Sequence, residues 1–344
     1  MTRGDRVVEF QAGDGFRCNL IQVFGDRPAT KGPVVLVHGA GVRANSFRAP
    51  VRTTIVDYLL DHGYDVWLEN WRASMDLVPN RWTLDQAALY DHPQAVKTVA
   101  RESGSSTVKA LVHCQGSSSF MMSAIAGLVP EVKVIVSSAV SLHPIVPPRA
   151  KAKLKYAMPV MKALTDYLNP QWGRHAPTVL AKVVDGIVRL THKECDNAVC
   201  RHASFVYGYG FPTLWRHENL NNETHQWLTD QFGDVPLTFF DQIAECVEHG
   251  TLRAVEGHEQ LPLDFVDTPP RTDARMAFIS GAQNSCFLPE SQVRSYEHFN
   301  RRRPGFHSLH LFPEYGHMDV FIGENAYRDT FPRILEELDK PHAG

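Results

Sequence analysis

Apolar residues in this chain gather in short runs that alternate with stretches of helical spacing. Val34-Val35-Leu36-Val37 is a continuous apolar run ending in His38-Gly39-Ala40-Gly41, which predicts a buried strand followed by a backbone-rich loop. Two earlier strands are expected to meet in a hairpin around Ala12-Gly13-Asp14-Gly15. Thr54 to His62 has helical spacing stopped by Gly63, and Tyr64-Asp65-Val66-Trp67-Leu68 is the next strand, leading into Glu69-Asn70-Trp71-Arg72. Leu84 to Arg101 predicts a helix kinked at Pro93 and closed by Gly104. Thr107–Val112 and Glu131–Ser138 are further strands, with a buried helix over Ser117–Ala126 between them.

From about Val140 to Arg271 this rhythm lapses. Proline-rich segments open and close the stretch (Pro144, Pro147, Pro148; Pro262, Pro269, Pro270), and helical runs such as Val179–Leu190 stand among aromatics and histidines. The strand–helix alternation resumes at Arg275–Ser280, continues through a helix near Pro289–Asn300 and a strand at His307–Phe312, and ends with a helix around Ala326–Leu338. The expectation is an α/β fold with a mostly parallel central sheet flanked by helices. Its core is split into 1–139 and 272–344 by a helical lid at 140–271.

Composition narrows the functions available. With 344 residues and a net charge of −3 (35 basic against 38 acidic residues), nothing suggests a nucleic-acid partner. The basic runs Arg149–Lys155 and Arg301-Arg302-Arg303 read as solvated faces. The polar N-terminus lacks the apolar core of a secretory signal, and no run approaches the roughly 20 apolar residues of a membrane span, so a soluble cytoplasmic protein without a cofactor is expected. Six cysteines in so long a chain are not a disulfide framework, and a reducing compartment fits an essential free thiol.

Cys114 is that thiol. In Val112-His113-Cys114-Gln115-Gly116 it follows a buried strand and opens a helix, where a tight turn aims a nucleophile and the helix N-terminus favours its anion. Gly116 lets that helix pass close to the strand. A base is expected at His317, in the turn Tyr315-Gly316-His317-Met318-Asp319 after the last strand; His113 is read as packing or hydrogen-bonding support. Where an orienting acid is usual, after the penultimate strand, the chain has Asn284, with Glu290 or Asp319 as the alternative; no Asp or Glu lies between Ser137 and Ala150. A thiol ionises far more readily than a hydroxyl and tolerates an amide that merely orients the imidazole. Backbone N–H groups of Ala40 and Gln115 are the expected oxyanion donors. His192, Cys195, Cys200 and His202 raise the question of zinc, but their irregular spacing favours lid packing or a disulfide, and no metal is expected. Trp71, Trp82, Tyr207, Tyr209, Trp215 and Trp227 are candidates for an apolar pocket or for plain core packing.

Together these motifs resemble the α/β-hydrolase-type proteins found alone or fused behind cholesterol-oxidase-like (GMC-type) flavoproteins, which carry a His-Cys-x-Gly-Ser elbow. The resemblance takes in Val37–Arg43, Tyr64–Ser74, Phe287–Ser291 and Tyr315–Gly323. More distantly the layout is similar to acid lipases, whose His-Ser-Gln-Gly-Thr box matches His113-Cys114-Gln115-Gly116-Ser117 except at the nucleophile. Cys114, Asn284 and His317 also follow at the similar spacings of about 170 and about 33 residues. Val112 departs from the small residue usual before the elbow, and Asn284 from the acid. The resemblance implies a cysteine acyl hydrolase for a hydrophobic, lipid- or sterol-like ester or thioester, with a sterol-oxidising flavoprotein as a candidate partner. Polyhydroxyalkanoate synthases place cysteine in a similar box, which leaves acyl transfer open; a catalytically idle lipid- or partner-binding module is the reading from another class.

Overall fold

The computed structural model describes residues 4–193 and 195–341. Ten strands are labelled in chain order: β1 Asp5–Gln11, β2 Arg17–Val23, β3 Pro33–Val37, β4 Asp65–Asn70, β5 Val108–His113, β6 Val132–Ser138, β7 Tyr167–Leu168, β8 Val235–Pro236, β9 Arg275–Gly281 and β10 Ser308–Phe312. Eight of them form one sheet in the order β1-β2-β4-β3-β5-β6-β9-β10, and β7 pairs with β8 apart from it. The β1–β2 and β2–β4 pairs are antiparallel and every later pair of the large sheet is parallel. Val35, Val37, Ala110, Val112 and Ile135 pack into one apolar cluster, and their alternate neighbours Val34, Leu36, Leu111, Val134 and Val136 into another. Both faces of the sheet are covered, which is why these strands read as unbroken apolar runs rather than alternating ones. This is the α/β-hydrolase fold class.

Two helices differ from the sequence expectation, both at proline. The run from Leu84 becomes a capped turn at Leu84–Gln86, a π-helical stretch Ala87–Asp91 and the α-helix α1 His92–Ser103. Pro93 has no N–H and its ring would meet a carbonyl one turn back, so the wider π turn opens the ladder just before it. The last helix breaks at Thr330 into Ala326–Asp329 and Phe331–Asp339, with Pro332 in the first turn of the second piece.

Among the described residues between β6 and β9, no strand joins the large sheet. The chain there forms α3 Pro148–Lys162, α4 Val179–Thr191, α5 Ala198–Tyr207 and α6 Leu237–His249, while α2 Cys114–Ile125 lies in the core directly after β5. No helix of the described residues is long and apolar enough to cross a membrane.

Candidate active site

Strand β5 ends at His113 and α2 starts at Cys114, leaving no loop between them. Cys114 takes the whole reversal, with φ of 56°, a left-handed conformation costing a non-glycine residue about 1–2 kcal/mol. The surroundings hold it there. A Cβ on Gly116 would lie 2.1 Å from the His38 carbonyl oxygen, and one on Gly39 would lie 3.0 Å from Cys114 Cβ. Glycine at both positions brings the β3 loop against the elbow, and the N–H groups of Ala40 and Gln115 face the Cys114 sulfur.

The Tyr64–Ser74 motif builds the underside of this loop. Trp71 Nε1 donates to the His38 carbonyl at 3.0 Å, and Asn70 Oδ1 accepts from Ala44 N–H at 2.9 Å and from Ser74 Oγ at 2.8 Å. Buried Arg72 grips Asp91 through Nε and Nη2. His92 bridges Glu69 at 2.9 Å and Ser119 of α2 at 2.7 Å, so the element that carries the thiol is tied to the end of β4.

His317 is buried beside His113, ring centroids 4.7 Å apart. His113 Nδ1 lies 3.2 Å from Ser138 Oγ. Burial pulls the His317 imidazole down to about 3 and pushes the Cys114 thiol up to about 12, although the two N–H groups at the sulfur oppose the latter. At neutral pH Cys114 therefore rests as thiol and His317 as neutral imidazole. Buried His38 is likewise pulled down to about 3.

Asn284 lies in the expected loop after β9, but its side chain turns to other partners than His317. Its Oδ1 accepts from the N–H groups of Cys286 (3.0 Å) and Phe287 (3.2 Å), its Nδ2 faces Ser280 Oγ at 3.5 Å, and His317 Nδ1 has no hydrogen-bond partner. An Asx-type turn has claimed the amide oxygen. Neither alternative carboxylate reaches His317 Nδ1: Glu290 binds Arg294 at 2.9 Å, and buried Asp319 accepts from Gly316 N–H at 2.9 Å and Asn219 Nδ2 at 2.6 Å. Asp319 braces the His317 turn from beneath, and burial raises it to about 6 against those same hydrogen bonds. The Asn284 loop meets the His317 turn through the backbone, with Gln283 N–H donating to Tyr315 O at 2.8 Å and Ala282 N–H to Phe312 O at 2.8 Å.

At the sulfur lies an apolar cavity of about 40 Å³, lined by Cys114, Gln115, Leu154, Tyr207, Phe239, Phe240, Ile243, Cys286 and Phe287 among others. Of the aromatics singled out by sequence, Tyr207 reaches it and donates through its hydroxyl to the Ala40 carbonyl at 2.8 Å. Trp71 and Trp82 stack edge-on in the core, Trp215 packs on Phe232, and Tyr209 is exposed. Lys153 also lines the cavity; burial lowers it to about 8, and its Nζ donates to the carbonyls of Phe205, Val206 and Gly208, closing the C-terminal end of α5. No sequence signal marked Lys153, Phe240 or Ile243, because amphipathic helices carry such residues whether or not a cavity lies beneath them. The six cysteines are free thiols, so the disulfide weighed for the lid is not formed.

No family model matches the chain. Human lipase member K is 23% identical over 337 residues, covering 90% of this chain and 80% of the human protein. A probable lipase of Schizosaccharomyces pombe is 24% identical over 348 residues, covering 91% of this chain and 69% of that protein. Among solved structures, the esterase EaEST from Exiguobacterium antarcticum aligns with a TM-score of 0.60 at 13% identity, over 97% of this chain and 99% of that one. The structural likeness bears on the fold, and the fold is that of the α/β-hydrolases.

Proposed function

We propose that the protein is a cysteine-dependent acyl hydrolase for hydrophobic esters or thioesters. The observation that carries this reading is Cys114 held at positive φ with two backbone N–H groups and an apolar cavity at its sulfur. The lipase and esterase likenesses support ester chemistry. In acylation His317 takes the thiol proton as Sγ bonds to the carbonyl carbon, and the carbonyl electron pair moves to an oxygen held by Ala40 and Gln115 N–H. Collapse breaks the bond to the alkoxide or thiolate leaving group, which receives the proton from His317, and a thioester remains on Cys114. Water, deprotonated by His317, then releases the acid. Asn284 acts as a positioning residue, fixing the loop on which the His317 turn rests.

By the measure under which a water needs roughly 10–15 Å³, the cavity holds only about three waters' worth of ligand. A short acyl group fits with the lid closed; a lipid- or sterol-sized one requires the lid helices to part. Gln115 gives the substrate a polar handle, since its side-chain amide is buried in the lining with neither atom hydrogen-bonded. The covered apolar lining also favours a second reading, acyl transfer to an alcohol, amine or thiol through the same residues. A flavoprotein partner and a cytoplasmic setting belong to the same proposal and rest on the sequence resemblance and the chain's composition.

Intact mass after incubation with esters and acyl thioesters of short to long chain tests the reading. The expected result is one acyl adduct on Cys114, absent from Cys114→Ala and slowed at least about 10²-fold in His317→Ala. Product ratios with an added alcohol separate hydrolysis from transfer. Turnover that survives Cys114→Ala, or no adduct with any substrate, overturns it in favour of another nucleophile or a non-catalytic binding module.

A further inference from the structure

The lid brings together four groups that sequence spacing did not connect. Cys195 precedes α5, Cys200 lies in its first turn, His217 sits in the turn His217–Asn219, and His225 in the short helix Asn222–Trp227. One ligand atom from each lies within 4.8 Å of all the others. Cys195 Sγ is 3.4 Å from His225 Nε2, and Cys200 Sγ is 3.4 Å from His217 Nε2. Two isolated S–H···N hydrogen bonds would account for those two distances but not for the convergence of both pairs on one point. Zinc bonded to thiolate sulfur at about 2.3 Å and imidazole nitrogen at about 2.0–2.1 Å sets tetrahedral neighbours roughly 3.3–3.8 Å apart; two of the pairs here already stand at 3.4 Å and all four donors lie within 4.8 Å.

The surroundings are arranged for such a site. Both cysteines are buried and both histidines half-buried. Asn197 organises the set: its N–H donates to Cys195 Sγ at 3.3 Å, its Oδ1 accepts from Cys200 N–H at 3.1 Å, and its Nδ2 donates to the His225 carbonyl at 2.9 Å. Backbone and amide contacts of this kind fix ligands in place around a metal. His192 and His202 face elsewhere, His192 toward Phe205 and Phe211 and His202 toward Asp185 at 3.0 Å, so the pairing weighed from sequence took the right cysteines with the wrong histidines.

We propose that Cys195, Cys200, His217 and His225 bind one structural zinc ion that staples the lid. Two thiolates and two imidazoles match zinc rather than magnesium or calcium, and four protein ligands close the coordination shell, leaving no position for substrate. Binding displaces the two thiol protons and leaves the complex neutral. The staple joins the start of α5 to the segment carrying His217 and His225, and the far end of α5 is Tyr207, which holds the Ala40 carbonyl. Zinc thus fixes one end of the element whose other end closes the acyl cavity. The inference does not rest on the acyl chemistry.

Metal analysis of the purified full chain is expected to find about one zinc per molecule, falling at least about fivefold in Cys200→Ser and in His225→Ala but not in Cys246→Ala, whose thiol is buried elsewhere. Cobalt substitution of the unaltered chain keeps the test open if a variant fails to fold: thiolate-to-cobalt charge transfer and tetrahedral visible bands are expected. Chelation should expose two additional reactive thiols, and zinc should protect them again. A chain that takes up neither metal, metal retained by both ligand variants, or a Cys195–Cys200 disulfide in the non-reduced peptide map overturns the proposal.

Discussion

Cys114 and His317 are buried so completely that each is held in its neutral form, and this decides how the thiol reacts. A thiol raised to about 12 does not rest as thiolate at neutral pH, and an imidazole lowered to about 3 does not rest as imidazolium; in the proposed mechanism the thiolate therefore forms only as the proton moves to His317 during attack. Alkylation of Cys114 by iodoacetamide, followed peptide by peptide so that Cys286 in the same cavity is counted separately, should therefore rise about tenfold per pH unit from roughly pH 6 to 9 without levelling. A plateau spanning neutral pH would mean a thiolate–imidazolium pair and contradict the neutral resting state. Cys114, His317 and the N–H groups of Ala40 and Gln115 could be picked out as candidates because each sits at a fixed point of a strand–turn–helix pattern. Asn284 was legible as a position but not as a contact: an amide before two free N–H groups can turn onto its own backbone, and a linear sequence does not say which partner it takes.

At the scale of elements, backbone contact between loops places His317. A Cβ on Gly281 would lie 2.1 Å from the Gly316 carbonyl oxygen and 2.2 Å from that of Tyr315, so the end of β9 and the His317 turn touch with no room for a side chain. Gly281→Ala should push the turn outward and lower kcat/KM at least about 10²-fold, since misplacing a catalytic group by about 1 Å has that effect. Gly186 within α4 has nothing within 4 Å of a built Cβ, so Gly186→Ala should leave kcat/KM unchanged and stabilise the chain by up to about 1 kcal/mol. Equal activity in the two variants would sink the claim that this contact positions the base. The strands were readable from their apolar runs because both sheet faces are covered. Less was readable wherever proline reshaped a helix or tertiary contact chose among many histidines. The zinc-type cluster is the clearest case, since His217 and His225 reach the cysteines through turns that no periodicity marks.

Across the whole molecule, buried titratable groups confine stability to a band of pH. His38, His113 and His317 are all lowered by burial, the first and last to about 3, from the ordinary 6.5 that they regain on unfolding. Between those values the unfolded chain binds more protons than the folded one, so the stability present above pH 6.5 is lost as pH falls. Asp319, raised to about 6, acts in the opposite sense between the ordinary 3.8 and 6. His298 and His307, each lowered by burial to about 4, add to the same acid limb, while buried Asp85, also raised, sides with Asp319; each histidine left unmatched contributes up to roughly 1.4 kcal/mol per pH unit near pH 5, against the roughly 5–15 kcal/mol total of a typical domain. On the alkaline side the thiols of Cys114 and Cys246 are pushed up to about 12 and that of Cys286 well above its ordinary 9.0, so the unfolded chain releases protons first and stability falls as pH rises through 9. Urea midpoints should be level between about pH 7 and 8.5 and fall on both sides, with the alkaline limb made shallower by Cys246→Ala. Chelator in parallel samples separates the acid limb from any loss of metal. A midpoint unchanged from pH 7 to 5 would mean that His38, His113 and His317 titrate alike in the folded and unfolded chain, and the neutral histidine cluster around the thiol would then have to be abandoned.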